Sequence, residues 1–182
     1  RRGGHAGCER GGKLLAEGPC ATHLGTWHVT LGRDCLYRPV HLTESPALAR
    51  NQMFLAFDGE GSTADLEAAT LVRGREHADT TLVIDHKVPR CTSRELYKTV
   101  LDGEAQAVFQ GKVIVRPGAQ KSDGKQMAQA LMLSATAEFS SKPELEIHAD
   151  DVICGHGSTS TELSEDLLFY LRARGIPEAE AR

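Results

Sequence analysis

The sequence lacks several things that would narrow its function. No C-x-x-C pair occurs, so a closed structural zinc site has no support from spacing. Aromatic residues make up only 5% of the 182-residue chain. That argues against an immunoglobulin-like sandwich, which needs a Trp buried between paired cysteines. No apolar run approaches the roughly 18 residues that would span a bilayer. Basic residues are in deficit, 21 Lys and Arg against 25 Asp and Glu, for a formal charge of -4. A basic nucleic-acid-binding domain is excluded on that balance. There is no Walker A sequence, no H-E-x-x-H, no G-x-S-x-G and no dinucleotide fingerprint. Nothing reads as a self-contained catalytic site, so the chain is not expected to be an enzyme.

What is present begins with five cysteines, Cys8, Cys20, Cys35, Cys91 and Cys154. An odd count at wide spacings fits free thiols in a reducing compartment, and the expected location is cytoplasmic. Residues 1–22 are Gly-rich, with Leu14, Leu15 and Ala16 as their only apolar cluster, and read as a poorly ordered lead-in. They have no apolar core of the signal-peptide kind. The chain opens on Arg1, and its last helical segment reaches Arg182 without a cap. Both features read as cut ends of a longer protein.

From Thr26 the texture is that of short strands. Thr26–Leu31 alternates and stops at Gly32. Gln52–Phe57 closes on Asp58-Gly59, and Ala69–Val72 closes on Arg73-Gly74. Thr80–Ile84 and Glu95–Leu101 follow, then Ala107–Phe109 and Lys112–Val115 on either side of Gln110-Gly111. Glu144–His148 and Val152–Cys154 end the series. Turn residues recur about every ten positions, which points to an all-β sandwich, barrel or solenoid. The Asp-Gly, Gln-Gly and Pro-Gly corners favour a solenoid with irregular coils. Lys125–Leu133 has helical propensity, but its neighbours all read as strand, and we assign it as strand. One helix is clear. Ser164 is its N-cap, Glu165 and Asp166 occupy the first turn, Leu167, Leu168 and Leu171 form its stripe, and Gly175 stops it. Pro177 opens a second helical segment.

The sharpest chemical feature is Cys154-Gly155-His156-Gly157. On a strand, Cys154 and His156 share one face. Thiolate and imidazole suit iron and other borderline metals. The plainer reading is a half-buried Cys and a hydrogen-bonded His in a Gly-rich turn. Asp85-His86 looks like a carboxylate–imidazole pair, but adjacent strand residues face opposite ways. Arg73, Arg75 and His77 read as a solvated corner, His28 as an exposed strand residue, and Asp150-Asp151 as turn acceptors. Cys91, after Pro89-Arg90, reads as a structural turn residue.

Longer strings carry a resemblance. TSRELYKTVLDGEAQAVFQGKVIVRPGAQKSDGKQ, SSKPELEIHADDVICGHG and LSEDLLFYLRARGIPEAEAR resemble the C-terminal half of SufD-type members of the SufB/SufD family, which serves the SUF iron–sulfur assembly system. HLGTWHVTLGRD, RNQMFLAFDGEG and RGREHADTTLVIDHKVP resemble the preceding part, so the likeness spans about residues 23–182. The resemblance implies a right-handed parallel β-helix with a C-terminal helical region. Its expected organisation is a lead-in at 1–22, a β-helix core at 23–160 and the start of the helical region at 161–182. It implies a scaffold subunit without a tightly bound cofactor, supporting a transient iron–sulfur cluster at an interface with a SufB-like paralogue. Cys154 and His156 fall on the family's C-x-H-G motif and are the expected cluster-assembly and transient metal-binding residues. Leu167, Leu168 and Leu171 are the expected interface with a SufC-like ABC ATPase. In isolation the expected partner through the β-helix edges is a second copy, a homodimer; neither nucleic acid nor membrane is an expected partner. A β-solenoid carbohydrate-active enzyme and a purely structural interaction module are the competing readings.

Overall fold

The computed structural model describes residues 8–9, 12–16, 20–44 and 46–181. The described chain runs β1 (Cys8–Glu9), β2 (Gly12–Ala16), β3 (Thr22–Leu31), β4 (Leu36–Tyr37), β5 (Val40–Glu44), β6 (Leu48–Phe57) and β7 (Thr63–Val72). It continues through β8 (His77–His86), β9 (Thr92–Leu101), β10 (Gln106–Val115), β11 (Asp123–Met132), β12 (Glu138–Ile147) and β13 (Ile153–Glu162). Helices α1 (Glu165–Ala173) and α2 (Glu178–Ala181) follow.

From β5 onward, successive strands alternate between two sheets. One orders β1-β4-β7-β9-β11-β13, with β5 on β7 and β2 on β5; the other orders β12-β10-β8-β6-β3. All pairings are parallel, and each coil lies in register on the last: Leu48 beside His77, His77 beside Gln106, Gln106 beside Glu138. The architecture is the expected parallel β-solenoid. Most of the lead-in expected at 1–22 lies outside the described residues; within it, Gly12–Ala16 is strand beside Val40–Glu44. The segment with helical propensity is strand β11, because β9 and β13 flank it and supply its backbone partners. One corner falls elsewhere. Gln110-Gly111 is no turn but the middle of β10, where Gly111 faces inward and leaves room for Gln126.

Alternation along each strand sends every second side chain into the space between the sheets. In-register stacking turns these into columns: Phe57 on His86 on Val115, Leu55 on Ile84 on Val113, Met53 on Leu82 on Gly111. All are buried, and apart from His86 and Gly111 they belong to the larger apolar core. Outside, ion pairs link coils, among them Arg38–Asp65 at 2.8 Å and a two-pronged Arg116–Asp85 contact at 2.9 and 3.0 Å. Exposed pairs of this kind add little individually.

The corners carry backbone strain in a pattern. Asp34, Gly61, Arg90 and Lys121 all have φ between 54° and 76°. Each stands two residues before the register partners Leu36, Thr63, Thr92 and Asp123, so one left-handed turn repeats coil after coil. Gly59 matters for a different reason, close approach: a Cβ there would lie 2.0 Å from the Arg33 backbone nitrogen. Gly59→Ala should therefore destabilise the fold by about 1–3 kcal/mol, because backbone must move. Gly118→Ala, with open space around it, should stay within about 0.5 kcal/mol of wild type. Urea unfolding of the two variants checks this.

Candidate functional site

Cys154 and His156 lie on β13, the outermost strand of its sheet among the described residues. Register places Cys154 beside Gly124, which neighbours Ser93, and His156 beside Gln126, which neighbours Glu95. The pair therefore continues two inward columns, Ala64–Ser93–Gly124–Cys154 and Leu66–Glu95–Gln126–His156. With no further coil described beyond β13, His156 is exposed while Cys154 is half-buried against the core. Gly124 packs between these groups: a Cβ there would sit 3.3 Å from Val113 Cγ1, with Ser93 Oγ at 3.4 Å and Cys154 Sγ at 3.6 Å in ordinary contact.

Burial pushes the Cys154 thiol up, the Gly124 backbone pulls it down, and the Asp123 and Glu95 charges push it up further. The resting group is thus a protonated thiol that must lose its proton to bind a metal or accept sulfur. A groove of about 1050 Å³ opens over the pair, lined also by Arg94, Glu95, Lys125 and Gln126. Among the described residues, no three His, Cys, Asp or Glu side chains are grouped to hold a metal ion. Among the described residues, Cys154 and His156 are not joined by a third His, Cys, Asp or Glu. Cys20, Cys35 and Cys91 are free thiols, like Cys154.

The columns behind the pair hold polar groups that the strand pattern does not announce. Glu95 is 2% exposed, and no hydrogen bond reaches either carboxylate oxygen. Burial raises its carboxyl to about 7, opposed by the Ser93 hydroxyl and the Arg94 charge. Across the lumen His86 is fully buried, stacked on Phe57 at 4.5 Å, with Nε2 3.1 Å from Ser93 Oγ. Burial lowers its pKa to about 4 against the pull of Asp85 and Asp123, so it is neutral. Asp85 itself points outward to Arg116, and the two neighbours form no dyad. The Arg73–Arg75 corner pairs outward too, Arg73 with Glu44 and Arg75 with Glu104. His28 is exposed and stacks on Phe54 at 5.0 Å. Cys91 is fully buried in the core.

Helix α1 forms as the capping pattern requires: Ser164 accepts from the Leu167 amide, and Gly175 has φ 86°. The three leucines do not share one environment. Leu167 is 61% exposed, Leu171 is half-buried, and Leu168 is only 4% exposed, so it is spent on the chain's own packing. Phe169 and Tyr170, at 75% and 51% exposure, are the large apolar groups that the helical stripe missed. No helix among the described residues is long and apolar enough to cross a membrane.

Glu95 and His86 make opposite contributions to stability with pH. The raised Glu95 pKa favours the fold below about 4.5, and that contribution is lost as pH rises through 7. The lowered His86 pKa favours the fold above 6.5, and that contribution is lost as pH falls towards 4. Glu95→Gln removes the first alone. In chelator, its stability gain over wild type should be larger at pH 8 than at pH 5 by about 2.5 kcal/mol. Equal gains at both pH values in urea unfolding would mean that Glu95 ionisation is not the cause.

Comparison with known proteins places the chain among iron–sulfur assembly factors. The family described as SUF system FeS cluster assembly, SufBD core domain, matches residues 12–182. An iron–sulfur cluster assembly SufBD family protein of Synechocystis sp. is 36% identical over 162 residues, covering 88% of this chain and 35% of that protein. The iron–sulfur cluster assembly protein SufD of Escherichia coli is 33% identical over 170 residues, 93% of this chain and 40% of that protein. A SufBD family protein of Mycobacterium tuberculosis is 33% identical over 168 residues, 88% of this chain and 42% of that protein. The chain thus spans about two fifths of the length of these relatives.

Proposed function

The chain belongs to the SufBD core family of the SUF iron–sulfur cluster assembly system, and from that membership we propose that it acts as a SufD-type scaffold. Membership supports a role in iron–sulfur cluster assembly. The finer reading is a subunit of a complex with a SufB-like paralogue and a SufC-like ABC ATPase, working in the cytoplasm. The observation that carries it is the position of Cys154 and His156. They are the last members of two inward columns, on an edge strand, beside a large groove. That edge leaves backbone groups to pair with another chain, the SufB-like paralogue or, in isolation, a second copy.

In this reading the cluster is cargo. His156 is the accessible ligand, and its imidazole binds metal when neutral. Cys154 supplies a thiolate once its proton leaves. The ligands this chain lacks come from across the edge. The chain brings no catalytic residue of its own; it holds two donors in fixed register. On α1, exposed Leu167, Phe169 and Tyr170 form the face for the ATPase. ATP-driven approach of two ATPase copies would shift the paired scaffolds between two arrangements, one of which opens His156 to the paralogue.

In the complete protein, His156→Ala should leave the three-component complex intact and lower anaerobic cluster yield several-fold, read as the visible chromophore. Cys154→Ser should lower it less. Unchanged yield in the His156 variant would remove the role assigned here. Phe169→Ala combined with Tyr170→Ala should weaken ATPase binding by roughly tenfold or more while leaving the paralogue bound, measured by pull-down and titration.

A further inference from the structure

We propose that the Glu95 carboxylate and the Gln126 amide oxygen form an internal binding site for a divalent metal ion, in the lumen behind the Cys154–His156 pair. The two residues are register partners on β9 and β11, and each is 2% exposed. Both Glu95 oxygens and Gln126 Oε1 are buried without a hydrogen-bond partner. The orientation of the amide is set from across the lumen. Gln126 Nε2 donates to the Gly111 carbonyl at 3.4 Å, which leaves Oε1 as a bare acceptor. Gly111 also provides the room, since a Cβ there would lie 2.4 Å from Oε1. Three acceptors therefore belong to one inward column, and the Ser93 hydroxyl beside Glu95 is also engaged by His86 Nε2 at 3.1 Å.

Buried charges in proteins are paired or coordinate metals. Among the described residues, no cation forms an ion pair with Glu95, although the Arg94 charge acts on it. Arg94 is bound to Asp123 at 2.5 Å, Lys125 is exposed, and His86 is turned to Ser93. Adjacent parallel strands stand about 4.8 Å apart. Oxygens on two such neighbours can share one ion at metal–oxygen distances of about 2.0–2.6 Å. An all-oxygen set completed by water suits a hard divalent ion, unlike the thiolate and imidazole of Cys154 and His156. Glu95 and Gln126 both line the 1050 Å³ groove, which gives an ion a way in. The site uses neither Cys154 nor His156, so it stands apart from the cluster-assembly reading.

The test is Mn2+ binding to the chain, stripped with chelator, followed by the loss of the free-ion electron paramagnetic resonance signal. Wild type and a Cys154→Ser, His156→Ala double variant should each bind one ion per chain with similar affinity. Glu95→Gln, a neutral replacement of the same shape, should weaken binding at least tenfold while its melting temperature in chelator is not lowered. Gln126→Leu should weaken it several-fold. Wild-type affinity in Glu95→Gln would overturn the site. So would a wild-type chain that takes up no Mn2+, which would leave Glu95 holding a proton. Binding lost in the double variant but kept in Glu95→Gln would assign the ion to Cys154 and His156 and also overturn it. None of these results depends on cluster yield, so this proposal and the cluster-assembly reading fail separately.

Discussion

Parallel hydrogen bonding between successive coils, held in strict register, governs everything else in this molecule. Each ten-residue strand lies against the strand one coil earlier without slippage. A slip of one residue would turn every inward side chain out. Register also repeats the left-handed corner at Asp34, Gly61, Arg90 and Lys121, three of which carry a Cβ where glycine would be easier. The backbone tolerates that strain because the flanking strands over-determine the turn.

The same rule makes a line of residues that are distant in sequence into neighbours. Glu95, Gln126 and His156 fall in one column, and Ser93, Gly124 and Cys154 in the next. Inside the solenoid such a column is shielded on both sides by further coils, so Glu95 and His86 pay for burial with displaced pKa values. At β13 the shielding ends and the column becomes accessible. The same register that buries Ser93 and Glu95 therefore leaves Cys154 half-buried and His156 exposed on β13.

Much of the fold was legible in the residues. Strand-forming runs at regular spacing, turn glycines and the Ser164–Gly175 capping pattern pointed to an all-β fold, best a solenoid, followed by a helix, and strings along the chain pointed to its family and through it to parallel strands. Cys154 and His156 were visible as a pair because alternation puts i and i+2 on one face. The segment 125–133 shows the limit of propensity: its Ala, Gln, Met and Leu prefer helix, and two flanking strands outweigh that preference. Gln110-Gly111 shows the limit of turn signals, since a glycine can serve packing as well as chain reversal.

The sequence by itself determined the period, the inward alternation, the helix and the shared face of Cys154 and His156, because these depend on neighbours along the chain. Only the tertiary structure decided which residues became neighbours across coils. Glu95 looks like an ordinary surface acid in Arg94-Glu95-Leu96, and nothing local marks it as buried. Whether Leu168 or Phe169 faces outward depends likewise on what the helix packs against. The physical reason is that burial and electrostatics are set by contacts between residues about thirty positions apart, and only the register of the coils selects those partners.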